Sequence, residues 1–194
     1  MTSTLQLGFL LFAATLAPAF LPAQTRPVVV VMETSLGTVE AEIDVVHAPV
    51  TSANFLKYVD AGSYNGGQFH RTVKPDNQPN NTVKIEVIQA AVAQTSPEQP
   101  PIALERTSVT GLRHLDGVIS MARIGPDSAT MEFFICIGDQ PSLDFGGARN
   151  PDGQGFAAFG RVIKGMDVVR KIQSSPAVEQ VLTPPVKILK IARK

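Results

Sequence analysis

Glycine and proline account for 30 of the 194 residues, and they fall between short apolar runs. A chain punctuated this often suits short strands and tight turns better than a bundle of long helices. Val28–Glu33 is a continuous, largely β-branched run and Thr38–Ile43 alternates, with Ser35-Leu36-Gly37 between them as the turn of a hairpin. Pro49 opens a helix, where its missing N–H does no harm. Val50, Ala53, Phe55, Leu56 and Val59 give that helix an apolar side, and Gly62 ends it. Gln68–Val73, Val83–Val92, Gly117–Ala122, Phe133–Ile137, Phe156–Ile163 and Val186–Ala192 read as further extended segments. In the last of these, Val186, Ile188, Lys190 and Ala192 share one face. Lys74–Asn81, Gln94–Pro101 and Gln140–Gly155 are loops, rich in Pro, Asn, Asp or Gly. After Gly165, Met166–Gln173 carries Met166, Val169 and Ile172 at helical spacing. Many short strands with only two helices point to a closed or sandwiched β-architecture.

Residues 1–23 stand apart, because no charged side chain occurs before Arg26. Leu7–Ala17 is apolar but for one Thr, the length of a signal-peptide core. Small residues near Pro18 and Pro22 offer cleavage points, and cleavage is expected after Ala23, leaving 24–27 as a short lead-in. A membrane anchor needs about 20 apolar residues, and Gln6 and the two prolines cut this run short. The expected product is therefore exported, periplasmic or secreted, with no stable membrane insertion after cleavage.

Lys and Arg total 17, as do Asp and Glu, so the formal net charge is zero. A nucleic-acid partner is not expected of such a chain. The single cysteine, Cys136, forms no internal disulfide and cannot build a cysteine-rich zinc site. The chain has no Trp, which argues against an indole-lined sugar cleft.

Three stretches carry a family resemblance. Phe69-His70-Arg71 resembles the Phe-His-Arg motif of the cyclophilins, the cyclosporin-type peptidyl-prolyl isomerases. Gly117-Val118-Ile119-Ser120-Met121-Ala122-Arg123, then Gly125-Pro126, then Phe133-Phe134-Ile135 resembles the family's central block. Phe156-Ala157-Ala158-Phe159-Gly160-Arg161-Val162, followed by Gly165 to Val169, resembles its C-terminal part. The likeness runs in order from about Val28 to Ala192, so 28–194 is expected to be one isomerase domain, of the bacterial exported subtype. The resemblance implies a closed eight-stranded antiparallel barrel capped by two α-helices, with the site outside, since side chains fill the interior of a small barrel.

It also implies a function, peptidyl-prolyl cis-trans isomerisation during the folding of exported proteins. Amide resonance sets a barrier of ~18–20 kcal/mol. A catalyst lowers it by favouring the twisted state, in which the proline nitrogen becomes pyramidal. Arg71 matches the family Arg that donates to that nitrogen. Phe134 would floor a hole for the proline ring, with Leu143 as a wall, Phe156 at the rim and Val87 as a further lining residue. Gln89 would hold the Arg and the substrate carbonyl. Ala122 and Arg123 would offer backbone groups to the residue before proline, and His70 would pack beside Arg71. No metal or cofactor is implied. The implied partners are proline-containing unfolded or flexible polypeptides, met by a monomer.

Three departures matter. An extra segment around Lys74–Lys84 lies between the His-Arg pair and Gln89. Glu132 stands where the family usually has Gln; ionised, it only accepts hydrogen bonds, and Arg71 or Arg123 is its expected partner. Ser142 stands where many eukaryotic members have Trp, and Phe156 replaces a His, so weak cyclosporin binding is expected. A non-catalytic barrel that binds proline segments as a chaperone or scaffold is the alternative. A Ser/His/Asp hydrolase lacks its Gly-x-Ser-x-Gly elbow. His47 and His114 are expected in surface or loop positions, and Cys136 in the core.

Overall fold

A computed structural model describes residues 27–194; the expected signal peptide at 1–23 and residues 24–26 of the lead-in lie outside them. The elements are β1 (Val28–Thr34), β2 (Gly37–Ile43), α1 (Pro49–Asp60), β3 (Gln68–Val73), β4 (Val87–Ala91), α2 (Thr107–Thr110), β5 (Val118–Met121), β6 (Phe133–Cys136), β7 (Ala157–Lys164), α3 (Met166–Gln173), β8 (Ala177–Val178) and β9 (Val181–Arg193). The strands run β1-β2-β7-β5-β6-β4-β3-β9, and β9 pairs back onto β1. Every pairing is antiparallel. Eight strands thus close a barrel as expected, and two-residue β8 is a flap on β9.

Alternation fills the interior. Val30 and Met32, Val39, Ala41 and Ile43, Ile88 and Ala90, Ile119 and Met121, and Phe133 and Ile135 are buried in one core with Phe55, Tyr64, Phe69 and Phe159. Helix α1 packs on β7 and β9, and α3 on β2, β3 and β4. Both helices fall where the spacing placed them. The one-turn α2 is an addition, too short to show periodicity.

Two expected strands differ. Val83–Val92 forms strand only from Val87, because buried Gln78 takes the backbone of Ile85: its amide side chain accepts from Ile85 N–H at 3.3 Å and donates to Ile85 C=O at 2.8 Å. Those groups are satisfied without a ladder partner. The last strand starts earlier than Val186 and contains Pro184 and Pro185. These sit where β9 bulges against β3, between the pairs Phe69↔Val186 and Arg71↔Val181, a position that asks no ladder N–H of them. A second irregularity against β1 leaves Leu189 exposed and brings Ile188 and Ile191 inside, so the expected face of Val186, Ile188, Lys190 and Ala192 is not kept.

Candidate active site

A bulge turns Arg71 outward. On β3, Phe69 pairs with Ala90 and Arg71 with the very next residue of β4, Gln89, so His70 is an extra residue. Strand parity alone would send Arg71 to the same side as Phe69, into the core. One inserted residue reverses the facing of everything after it. Arg71 therefore lies outside the barrel beside Gln89, and Val73, two residues on, joins an outer apolar cluster.

That cluster contains Val73, Ile85, Val87, Phe134, Cys136 and Leu143, with Ala122 and Phe156 packed against it. On β6 the pleat separates neighbours: Phe133 points into the barrel core and Phe134 into the outer cluster. Phe134 meets Phe156 edge-on, with centroids 5.4 Å apart, and stacks on His114 at 6.0 Å. Gly155 has φ +66°, and a β-carbon there would lie 2.5 Å from the Asp144 carbonyl carbon. That close approach lets the loop fold back so that Phe156 N–H donates to Leu143 C=O at 2.9 Å.

His114 lies in the loop before β5, one of the two expected settings, but it is buried. Its Nδ1 lies 2.7 Å from Asp144 Oδ1 and its Nε2 2.9 Å from Ser120 Oγ. This Ser-His-Asp set is closed to substrate, because Ser120 has no exposed surface. Its role is to hold the ring on which Phe134 stacks. His47 is exposed and bonds Asp44, in keeping with expectation. Burial raises the thiol pKa of Cys136 well above the usual range, leaving an inert core thiol.

The Arg71 guanidinium is held on two sides. Nη1 donates to Gln89 Oε1 at 2.9 Å, while Nε (2.9 Å) and Nη2 both donate to Gln180 Oε1. Burial pulls its pKa down from the usual arginine value, with Glu132 opposing; an arginine there still stays charged. Gln89 in turn donates through Nε2 to Glu132 Oε2. Glu132 thus bonds neither Arg71 nor Arg123, the expected partners, but reaches Arg71 through Gln89. It also lies 3.8 Å from His70 Nε2. Burial lowers the pKa of His70 below the usual histidine value, with Glu132 opposing and Arg71 adding to the shift.

Arg123 has another task. Its side chain is 1% exposed and bonds Asp152 at 2.7 and 2.9 Å and Gly155 C=O at 2.8 Å. Its guanidinium carbon lies 5.1 Å from the centroid of the Phe156 ring. The bonds from Arg123, reinforced by the Gln154 N–H, hold the Asp152 carboxyl down at about 2. Arg123 therefore orders the loop that carries Phe156. Arg71, His70, Gln89, Glu132, Ala122, Arg123, Phe134, Leu143 and Phe156 all lie in this one region. The residue that sequence reasoning missed is Gln180, 109 positions from Arg71. A groove of about 820 Å³ leaves Arg71 and His70 between the 75–81 segment and Gln180.

Residues 29–193 match the family model of the cyclophilin type peptidyl-prolyl cis-trans isomerases. The chain belongs to this family. It is 40% identical over 157 residues to peptidyl-prolyl cis-trans isomerase A of Dickeya dadantii, covering 80% of this chain and 75% of that protein. It is 36% identical over 169 residues to a peptidyl-prolyl cis-trans isomerase of Acinetobacter baylyi, covering 84% of each. In fold it is similar to a cyclophilin type isomerase of Cryptosporidium parvum, with a TM-score of 0.70 at 20% identity, over 87% of this chain and 98% of that one. A second structure of that cyclophilin, in the presence of the dipeptide Ala-Pro, has a TM-score of 0.69.

Proposed function

We propose that this cyclophilin isomerises X–Pro bonds of unfolded or flexible polypeptides, with Arg71 as the group that acts on the proline nitrogen. The observation that carries the reading is a guanidinium fixed at the edge of an outer apolar cluster. The proline ring rests on Phe134 between Leu143, Val87 and Phe156. As the C–N bond twists, resonance is lost and the nitrogen lone pair localises. A donor aimed at that lone pair binds the twisted state more strongly than either planar one, and this difference is what accelerates the reaction. Ala122 and Arg123 supply backbone groups to the residue before proline. Glu132 and Gln89 keep one side of the guanidinium oriented.

Isomerisation of an X–Pro peptide, followed by NMR exchange with the intact chain, tests the activity. A rate equal to the uncatalysed one, with peptide still bound, would leave only a proline-binding module.

Export is part of the same proposal and rests on the uncharged first 23 residues and the apolar run within them. Expression in a host with a general export pathway is expected to yield a mature chain that begins at Gln24. Intact mass and N-terminal sequencing read this directly, and a mature chain that retains Met1 overturns it. We further propose a monomer with weak affinity for cyclosporin. Ser142 offers no large apolar face at the rim, and the chain has no indole to supply one. Titration calorimetry is expected to give a Kd above the micromolar level, and sub-micromolar binding contradicts the assignment.

A further inference from the structure

The extra segment at 74–84 is braced against the catalytic side chain. Gln180 offers one oxygen to both Nε and Nη2 of Arg71, and its own Nε2 donates to Asn77 C=O at 3.0 Å. Asn77 belongs to the segment. Its Nδ2 donates to Thr72 C=O at 3.0 Å and Glu179 C=O at 2.9 Å, and its Oδ1 accepts from Lys74 N–H at 2.8 Å. Thr72 N–H donates to Gln180 C=O at 2.9 Å. One asparagine thus ties β3, which carries Arg71, to the turn that carries Gln180. The segment is itself pinned, by Gln78 to Ile85 and by Arg149, whose Nη1 donates to Gln78 Oε1 at 2.9 Å and Val83 C=O at 2.7 Å.

We propose that Gln180, held by Asn77, is a positioning residue for Arg71, and that the 74–84 segment serves catalysis as a brace. This rests on Arg71 being the group that acts on the proline nitrogen. A guanidinium has five N–H groups in a rigid plane. Gln89 and Gln180 occupy three of them, which fixes the plane and leaves two for substrate. Gln180 is neutral, so it orients the guanidinium without cancelling its charge. A carboxylate in its place would keep the acceptor for Arg71, but it would lose the bond to Asn77 C=O and draw charge away from the developing lone pair.

The test uses the full chain with Arg71→Ala, Gln180→Leu, Gln180→Glu and Asn77→Ala. Steady-state isomerisation is compared with proline-peptide affinity and melting temperature. Gln180→Leu is expected to lower kcat by ~10- to 100-fold, as loss of alignment does, with KM and peptide affinity within about twofold. Gln180→Glu, which keeps the acceptor, recovers part of the rate, and Asn77→Ala reproduces part of the loss. Wild-type turnover in Gln180→Leu, in a chain that Arg71→Ala inactivates, overturns the positioning role and leaves the Arg71 reading intact. Wild-type turnover in Arg71→Ala overturns both. A readout on the unaltered protein guards against variants that fail to fold: the Arg71 Nε–H should be protected from solvent exchange, and exchange at the free-arginine rate overturns the brace.

Discussion

Arg71→Ala is expected to lower kcat/KM for X–Pro isomerisation by ~100- to 1000-fold, the usual cost of removing one preorganised donor from a developing charge. The loss should fall on kcat. The proposed floor and walls of the proline site, Phe134, Leu143 and Val87, belong to an apolar cluster in which Arg71 has no part, so ground-state affinity for a proline peptide should change little. The fold should survive as well. Arg71 projects from the outer face of β3 and contributes nothing to the interior core. Its partners Gln89 and Gln180 keep their other bonds, to Glu132 and to Asn77. Arg71→Lys should recover little, since an ammonium is a point charge and cannot span two glutamine oxygens in one plane. NMR exchange on an X–Pro peptide, with thermal melts in parallel, decides the matter. An Arg71→Ala protein that turns over at the wild-type rate removes Arg71 from the mechanism.

The second large effect separates two adjacent phenylalanines. Phe133 has no exposed surface and packs edge-on against Phe55, Tyr64 and Phe69, at centroid distances of 5.4, 5.4 and 6.1 Å. Phe133→Ala would empty the middle of the barrel, and such a truncation costs about 3–5 kcal/mol. Against a total stability of about 5–15 kcal/mol, that is a large share. The melting temperature should fall by roughly 6–20 °C for a domain of this size. Phe134 faces the outer cluster instead, where Phe156 and His114 are its aromatic neighbours among the described residues. Phe134→Ala should lose less stability and more activity, because the proline ring loses its floor. Denaturant unfolding and isomerase assays on the pair test this. If Phe134→Ala melts earlier and Phe133→Ala leaves stability unchanged, the division of labour along β6 is wrong.

Much of the barrel was legible because strands leave local marks. The hairpin of β1 and β2 and the extents of β3 and α3 follow from alternation, Gly and Pro over a few residues. The site was legible where a short motif carried it, at Phe69-His70-Arg71 and from Gly117 to Ile135. What the sequence hid was long-range or depended on parity. Nothing local marks His70 as a bulged residue, although the outward facing of Arg71 depends on it. Gln180 sits four residues before Pro184, in a stretch that carries no motif, and its partner is far away along the chain. His114 had no acidic residue at a familiar spacing, and Asp144 reaches it only through the folded 140–155 loop. Val83–Glu86 is apolar enough for a strand, but a single buried glutamine claims the backbone of Ile85 first.

The closure of β9 onto β1 has a consequence for the company this protein keeps. An open sheet presents a row of unpaired N–H and C=O groups, which recruits any extended chain nearby. Folding catalysts work in the densest supply of such chains. Here each of the eight barrel strands has a neighbour on both sides, and among the described residues the one strand with a single neighbour, Ala177–Val178, is two residues long. Incoming polypeptide finds almost no edge to extend. It can be held by a proline ring and released, without being knitted into the enzyme's own sheet.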